Sequence, residues 1–179
     1  MSYLLCLIGI TTNMRPCEIK RIANKDFYKI EEVWFLHIPK SKTANDVRSI
    51  PIHNMVYEEI KKYAVENGRD GPDDIILKTI NGKTLNERNF TQAYTEFGKL
   101  AGMSASEMKA GNYSFTSKRH FWKTLMNDEK LGEDVEEVLM GHKVSSVVAE
   151  TYNHREKRGQ KNLLEKARKV FKILKKYVL

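Results

Sequence analysis

FYKIEEVWFLHIPKSKTANDVRSIPI, Phe27 to Ile52, is the stretch that decides the fold. Its runs Phe27 to Ile30 and Val33 to Ile38 are rich in aromatic and β-branched residues, the composition of a pleated, half-buried surface. Glu31-Glu32 between them fits a tight turn. Ser41 to Asp46 is a polar loop carrying Lys42, and Val47 to Ile52 returns as a third strand. Together the three runs predict a small antiparallel sheet.

On both sides of this sheet the sequence reads as helical. Upstream, Tyr3 to Ile10 is apolar throughout, too short to span a membrane, and lacks the basic flank and small-residue cleavage site of a signal peptide. It is expected to be a buried helix. Thr11-Thr12-Asn13 form a capping cluster, and Pro16 suits the first turn of a helix from Pro16 to Ile22. Downstream, Met55 to Glu66 shows helical spacing, and Asn67 to Asp74 breaks it. Ile75 to Leu77 could be one more extended piece, with a turn at Asn81-Gly82. Asn86 to Ala101 is predicted helical with Phe90, Ala93, Tyr94, Phe97 and Leu100 inward. Further helices are expected at Phe115 to Met126, Asp134 to Met140 and Ser145 to Tyr152. The last, Leu163 to Val178, carries one apolar stripe with Lys and Arg elsewhere.

Composition narrows the class. With 41% hydrophobic and 30% charged residues, the 179-residue chain is too apolar for disorder and long enough for one domain with a sizeable core. Its 31 Lys and Arg against 23 Asp and Glu leave +8, which suits a polyanionic partner because each neutralised phosphate releases counterions. Cys6 and Cys17 both fall in segments read as helical and apolar, which argues against a disulfide framework and for a reducing compartment. No cluster of ligands has zinc spacing.

Four short stretches, in order, resemble the tyrosine recombinase (phage-type integrase) family. Asn13-Met14-Arg15-Pro16-Cys17-Glu18-Ile19 looks like its Arg-x-x-Glu motif at a helix start. Ser41-Lys42-Thr43, followed by Arg48-Ser49-Ile50-Pro51-Ile52, is similar to its hairpin lysine and the strand after it. Phe115-Thr116-Ser117-Lys118-Arg119-His120 matches the helix carrying its second arginine. Leu139-Met140-Gly141-His142-Lys143, then Tyr152-Asn153-His154, looks like the Leu-Gly-His box and the nucleophilic tyrosine. Two departures stand out. Thr116 occupies the place of a usual histidine, as in some archaeal virus-type integrases, and His142 and Tyr152 are one residue further apart than in many relatives.

The resemblance implies an α+β, mainly helical catalytic domain with a three-stranded sheet. It also implies cleavage and rejoining of double-stranded DNA through a covalent 3′-phosphotyrosine, without ATP, metal or other cofactor. Tyr152 would be the nucleophile, and a phenol with pKa near 10 needs a cationic pocket to act as one. Arg15 and Arg119 would supply it, since guanidinium grips phosphate oxygens in a planar fork. Lys42 would protonate the leaving 5′-oxygen. His142 would donate to a non-bridging oxygen or assist with the tyrosine proton. Thr116 offers one hydroxyl, so part of the missing histidine's work could fall to Lys118 or His120.

Each residue also has a plainer reading. Arg15 could be a surface ion pair with Glu18, Lys42 a solvated hairpin lysine, and Arg119 part of a solvated helix face. His142 could be a helix-end residue, and Tyr152 is one of 8 tyrosines, which more often serve as core or boundary residues. The joint pattern outweighs these readings; single positions do not. We expect residues 1–153 to form the catalytic core and 154–179 a basic linker and C-terminal amphipathic helix. That helix would pack on its own domain or dock on a neighbour in a DNA-bound tetramer. The chain opens inside a core element, so an amino-terminal core-binding domain is expected to be absent from it, and DNA binding by the chain alone to be weak. A cytoplasmic, DNA-associated, non-membrane protein is expected. The competing functions are an inactive C-terminal integrase remnant that still binds DNA, and a type IB topoisomerase-like nicking and religating enzyme.

Overall fold

The computed structural model describes residues 1–39, 48–111, 113–130 and 157–178, with the side chains of 157–159 left aside. Lys42, His142, Tyr152 and the helices expected at 134–140 and 145–152 lie outside the described residues. Helix α1 (Ser2–Thr12) is followed by a single turn, α2 (Pro16–Ile19). Strands β1 (Phe27–Ile30), β2 (Val33–Ile38) and β3 (Arg48–Ile52) form one antiparallel sheet in the order β1-β2-β3. Then come α3 (Asn54–Glu66), α4 (Glu87–Leu100), α5 (Ala105–Ala110), α6 (Lys118–Asp128) and α7 (Lys157–Tyr177).

Helix α1 is buried on nearly every side, as a helix without a polar face must be, and packs against α4, α3, α2 and β3. Its two threonines face the core without penalty because their hydroxyls donate back to carbonyls of the preceding turn, Thr11 to Leu7 and Thr12 to Ile8. The cap expected at Thr11-Thr12-Asn13 therefore closes α1 and does not open the next helix. Asn13 ends α1 in the left-handed region at φ 55°, its N–H donating to the Gly9 carbonyl at 3.1 Å.

The sheet separates two apolar layers. Leu36, Ile38, Ile50 and Ile52 join the main core with α1, α3 and α6. Phe35, facing the other way, joins Leu163, Leu164 and Ala167 of α7. Burial on both faces leaves β3 enclosed along its whole length, a demanding place for the charged Arg48. The first half of the α7 stripe thus folds onto its own sheet, while Val170, Ile173 and Leu174 enter the main core, and Lys176 near its end pairs with Glu129 beyond α6 at 2.7 Å.

Several boundaries differ from expectation. Helix α2 stops at Ile19, because the chain must straighten for Ala23 to bridge Ile75 and for the Ile22 carbonyl to accept from Ile76. Ile75 to Leu77 makes only that bridge. Phe97 and Leu100, expected inward, are 42% and 85% exposed. The inward line of α4 continues from Ala93 to Gly98, where Met108 of α5 packs against the missing side chain. Helix α5 itself was not expected, although Ser104 and Glu107 form its capping box. Helix α6 starts at Lys118, since the Ser117 hydroxyl accepts from the Ser114 N–H and holds Phe115 to Ser117 as a turn. Helix α7 begins at Lys157, inside the segment read as a linker.

Candidate active site

The first and third motifs meet at the end of α1. Arg15 opens α2, its backbone N–H donating to the Glu18 carboxylate at 2.7 Å and its guanidinium lying 3.5 Å from the same group. Arg119, in the first turn of α6, donates from Nη1 to the Asn13 carbonyl at 3.2 Å, across 106 residues of sequence. One turn later the Trp122 indole donates to the Ile10 carbonyl at 2.6 Å, so α6 is fastened twice to the end of α1. The Arg15 side chain is one-third exposed and Arg119 half-buried, and the two lie close enough for their like charges to interact.

Beneath them lies a fixed counter-charge. The Glu18 carboxylate, 1% exposed, is held by both terminal nitrogens of Arg48 at 2.8 and 3.0 Å, the planar two-pronged geometry of strong Arg–carboxylate pairs. Burial pushes the Glu18 carboxyl up, but Arg48 hydrogen bonding and charge, joined by the Arg15 N–H and charge, outweigh it and hold its pKa below the usual range. Burial and the like charge of Arg15 lower the Arg119 pKa, while Glu18 opposes them. Three guanidinium groups share one carboxylate, leaving a net +2 among these four side chains. Such an excess, partly open to solvent, is suited to an anion with several oxygens.

Arg48 is the functional residue the motifs quoted without assigning it a role. A charge at the end of an otherwise apolar strand was the available signal, because buried charge persists only when paired. Among the described residues the other buried cation is Lys118, to which part of the missing histidine's work could fall. It is 7% exposed, donates from Nζ to the Phe115 carbonyl at 3.1 Å and lies 3.9 Å from that residue's ring centre. Burial, then the like charge of Arg119, bring its pKa down to about 7, against the opposing pull of Glu18 and Cys6. Thr116 is exposed on the turn before α6, where its carbonyl accepts the Arg119 N–H at 2.9 Å. His120 is exposed and lines an apolar groove of about 1000 Å³ with Phe121 and Tyr94, away from the arginine pair's partners. Cys6 and Cys17 are both free, but Cys17 is exposed where an apolar setting was expected. Among the described residues no group of His, Cys, Asp and Glu could hold a metal ion, and no helix is long and apolar enough to cross a membrane.

The fold is shared with known proteins. XerH site-specific recombinase bound to difH substrate, in a pre-cleavage complex, matches with a TM-score of 0.63 at 19% identity, over 79% of this chain and 39% of that one. Its post-cleavage complex with a palindromic substrate gives 0.63 at 18%, over 91% and 44%. The Tn1549 transposon integrase in complex with circular intermediate DNA gives 0.61 at 19%, over 91% and 58%. The chain therefore spans only part of the length of these structures, and at such identity the likeness is one of fold: a tyrosine recombinase catalytic domain. None of these matches bears on an archaeal virus-type branch. No curated protein sequence matches the chain. The sequence profile of the phage integrase family, however, matches residues 1–158. With the paired arginines, the small sheet and that match in agreement, the chain belongs to the phage integrase family.

Proposed function

We propose that the chain is the strand-cleaving and rejoining domain of a site-specific DNA recombinase. The observation that carries this reading is the convergence of Arg15 and Arg119 on the end of α1, over a buried Glu18–Arg48 pair. A scissile phosphate held there would meet a guanidinium on each side, where the negative charge of an in-line displacement develops. Tyr152 is the proposed nucleophile, giving a 3′-phosphotyrosine that stores the energy of the broken bond and lets strands rejoin without ATP. Lys42 would protonate the departing 5′-oxygen, and His142 would donate to a non-bridging oxygen. Thr116 is left a minor part at most, because its side chain carries no charge and its carbonyl serves α6. The DNA-bound XerH and Tn1549 relatives support duplex DNA as the partner.

Self-association on DNA belongs to the same proposal. In the chain alone the α7 stripe packs on its own sheet and into the main core, so exchange with a neighbour would require that helix to leave Phe35 and to withdraw Val170, Ile173 and Leu174. Loss of synapsis on truncation at Arg155 would support such an exchange; unchanged synapsis would argue against it.

The test of the chemistry is a nicked duplex that traps the cleaved strand, incubated with the protein and with Tyr152→Phe and resolved on a denaturing gel. The expected result is a covalent adduct that Tyr152→Phe abolishes. An adduct that survives would move the nucleophile elsewhere. DNA binding without adduct from either protein would favour an inactive remnant, and relaxation of supercoils without a partner site would favour the topoisomerase reading.

A further inference from the structure

The positive charge of this protein is unevenly placed. Helix α7 (Lys157–Tyr177) contains nine Lys and Arg and a single acid, Glu165, a balance of +8. The whole chain has 31 basic and 23 acidic residues, so the remainder holds 22 of each. The entire net +8 of the protein therefore resides in one helix.

Within that helix the charge is sorted. At about 100° per residue, Lys161, Arg168, Lys172 and Lys175 fall on one narrow stripe, opposite the apolar residues that meet the sheet. All four are exposed. From Lys161 to Lys175 the row is about 21 Å long at 1.5 Å per residue. The only interruption on this face is Glu165.

The row is also remote from the arginine pair. Leu163 and Leu164 pack near the β1–β2 turn with Val33 and Ile30, whereas Arg48 pairs with Ile38 at the other end of β2, about 17 Å along the strand. At its other end α7 meets Glu129, about 15 Å along α6 from Arg119. A single phosphate cannot engage both places.

We propose that the exposed face of α7 is a second nucleic-acid surface, which grips the phosphate backbone of a duplex outside the cleavage site. The inference rests on the reading of the chain as a DNA-acting domain. Duplex DNA presents one negative charge per about 1.7 Å of axis, so a 21 Å row of cations finds phosphates within reach along its whole length. The contact carries no sequence information, since flexible, point-like Lys charges fix position and leave base edges unread. Its role is to hold and orient DNA while the arginine pair acts on one phosphate.

The experiment measures binding of the full chain to a labelled duplex of arbitrary sequence over a range of salt, beside a quadruple variant, Lys161→Gln, Arg168→Gln, Lys172→Gln and Lys175→Gln. These side chains are exposed and bury nothing, and circular dichroism will verify the fold. Each lost phosphate contact lowers the slope of log affinity against log salt by about 0.9, so the variant, with four contacts removed, should lose about 3.6 from that slope and at least tenfold in affinity at low salt. Adduct formation on the nicked substrate at saturating DNA should remain within about twofold. A variant with Arg at the three lysine positions should keep the slope. If the parent binds DNA and the quadruple variant binds with the same slope and affinity, this proposal is overturned while the recombinase reading stands. If the parent binds no duplex at all, the DNA reading itself fails. Capture of an acidic protein in place of DNA would also refute the assignment.

Discussion

Replacing Glu18 by glutamine removes one charge and little volume, and the structure gives its consequence. The carboxylate accepts two bonds from Arg48, whose side chain is 4% exposed, and one from the Arg15 backbone. A glutamine with its carbonyl in the Oε2 place keeps Arg48 Nη2 and the Arg15 N–H but turns an NH₂ group toward Arg48 Nη1, a donor that needs an acceptor. The Arg48 guanidinium is then a buried, uncompensated cation. Breaking a buried pair from one side costs about 3 to 5 kcal/mol, which at about 2 to 4 °C per kcal/mol for a domain of this size lowers Tm by roughly 6 to 20 °C. Differential scanning calorimetry would read this directly. The double variant Glu18→Gln with Arg48→Met should recover most of the loss, since replacing both partners by groups of similar shape is far cheaper. Acid titration supplies a second readout. Because the folded pKa of Glu18 is lowered, its stabilisation is complete above the ordinary carboxylate range and is lost as pH falls through the lowered value. Glu18→Gln should lack that acid-side loss. A Glu18→Gln protein melting within about 2 °C of the parent would refute the account of the pair as the base on which the arginines stand.

Lys118 titrates in the opposite region. Its folded pKa lies at about 7, below the ordinary 10.5, so the folded state binds fewer protons than the unfolded chain between those values. Stability should therefore rise with pH across that window, by on the order of 5 kcal/mol, and urea unfolding at several pH values should show the rise flattened in Lys118→Met. Gly9→Ala tests the approach of α6 to α1. A Cβ there would stand 2.7 Å from Phe115 Cζ and 3.3 Å from the Lys118 chain. We expect a loss of about 1 to 3 kcal/mol in chemical denaturation and weaker phosphate binding at Arg119, and a variant as stable as the parent would show that α6 can move away freely.

The sheet was legible because local rules and burial agree there. Aromatic and β-branched runs with two residues between them specify a hairpin, and the strand limits of β1 and β2 came out as read. The interior of α4 was only half legible. Helical periodicity correctly picked Phe90 and Ala93, then overran to Phe97 and Leu100, because nothing in the period itself reveals that α5 occupies the space beside the last turn. At the site, Arg15 and Arg119 were found through motif order, not through any property of either residue. The Asn13 carbonyl, which holds Arg119 two residues from Arg15, has no signature in sequence, since its place depends on how α1 ends. Arg48 escaped notice for a related reason. Its worth lies in a partner 30 residues away, and pairing at that range is decided by strand placement.

Arg119 closes the carbonyl end of α1 with the same guanidinium proposed to face a phosphate, and Trp122 anchors the turn before it. Any pull on an anion held by Arg119 would then be borne by the backbone of α1, a helix enclosed on nearly every side, and not by a side chain swaying from a loop. A grip rooted in this way would yield little under load, because Arg119 cannot swing without parting from the Asn13 carbonyl beside the turn that Trp122 anchors.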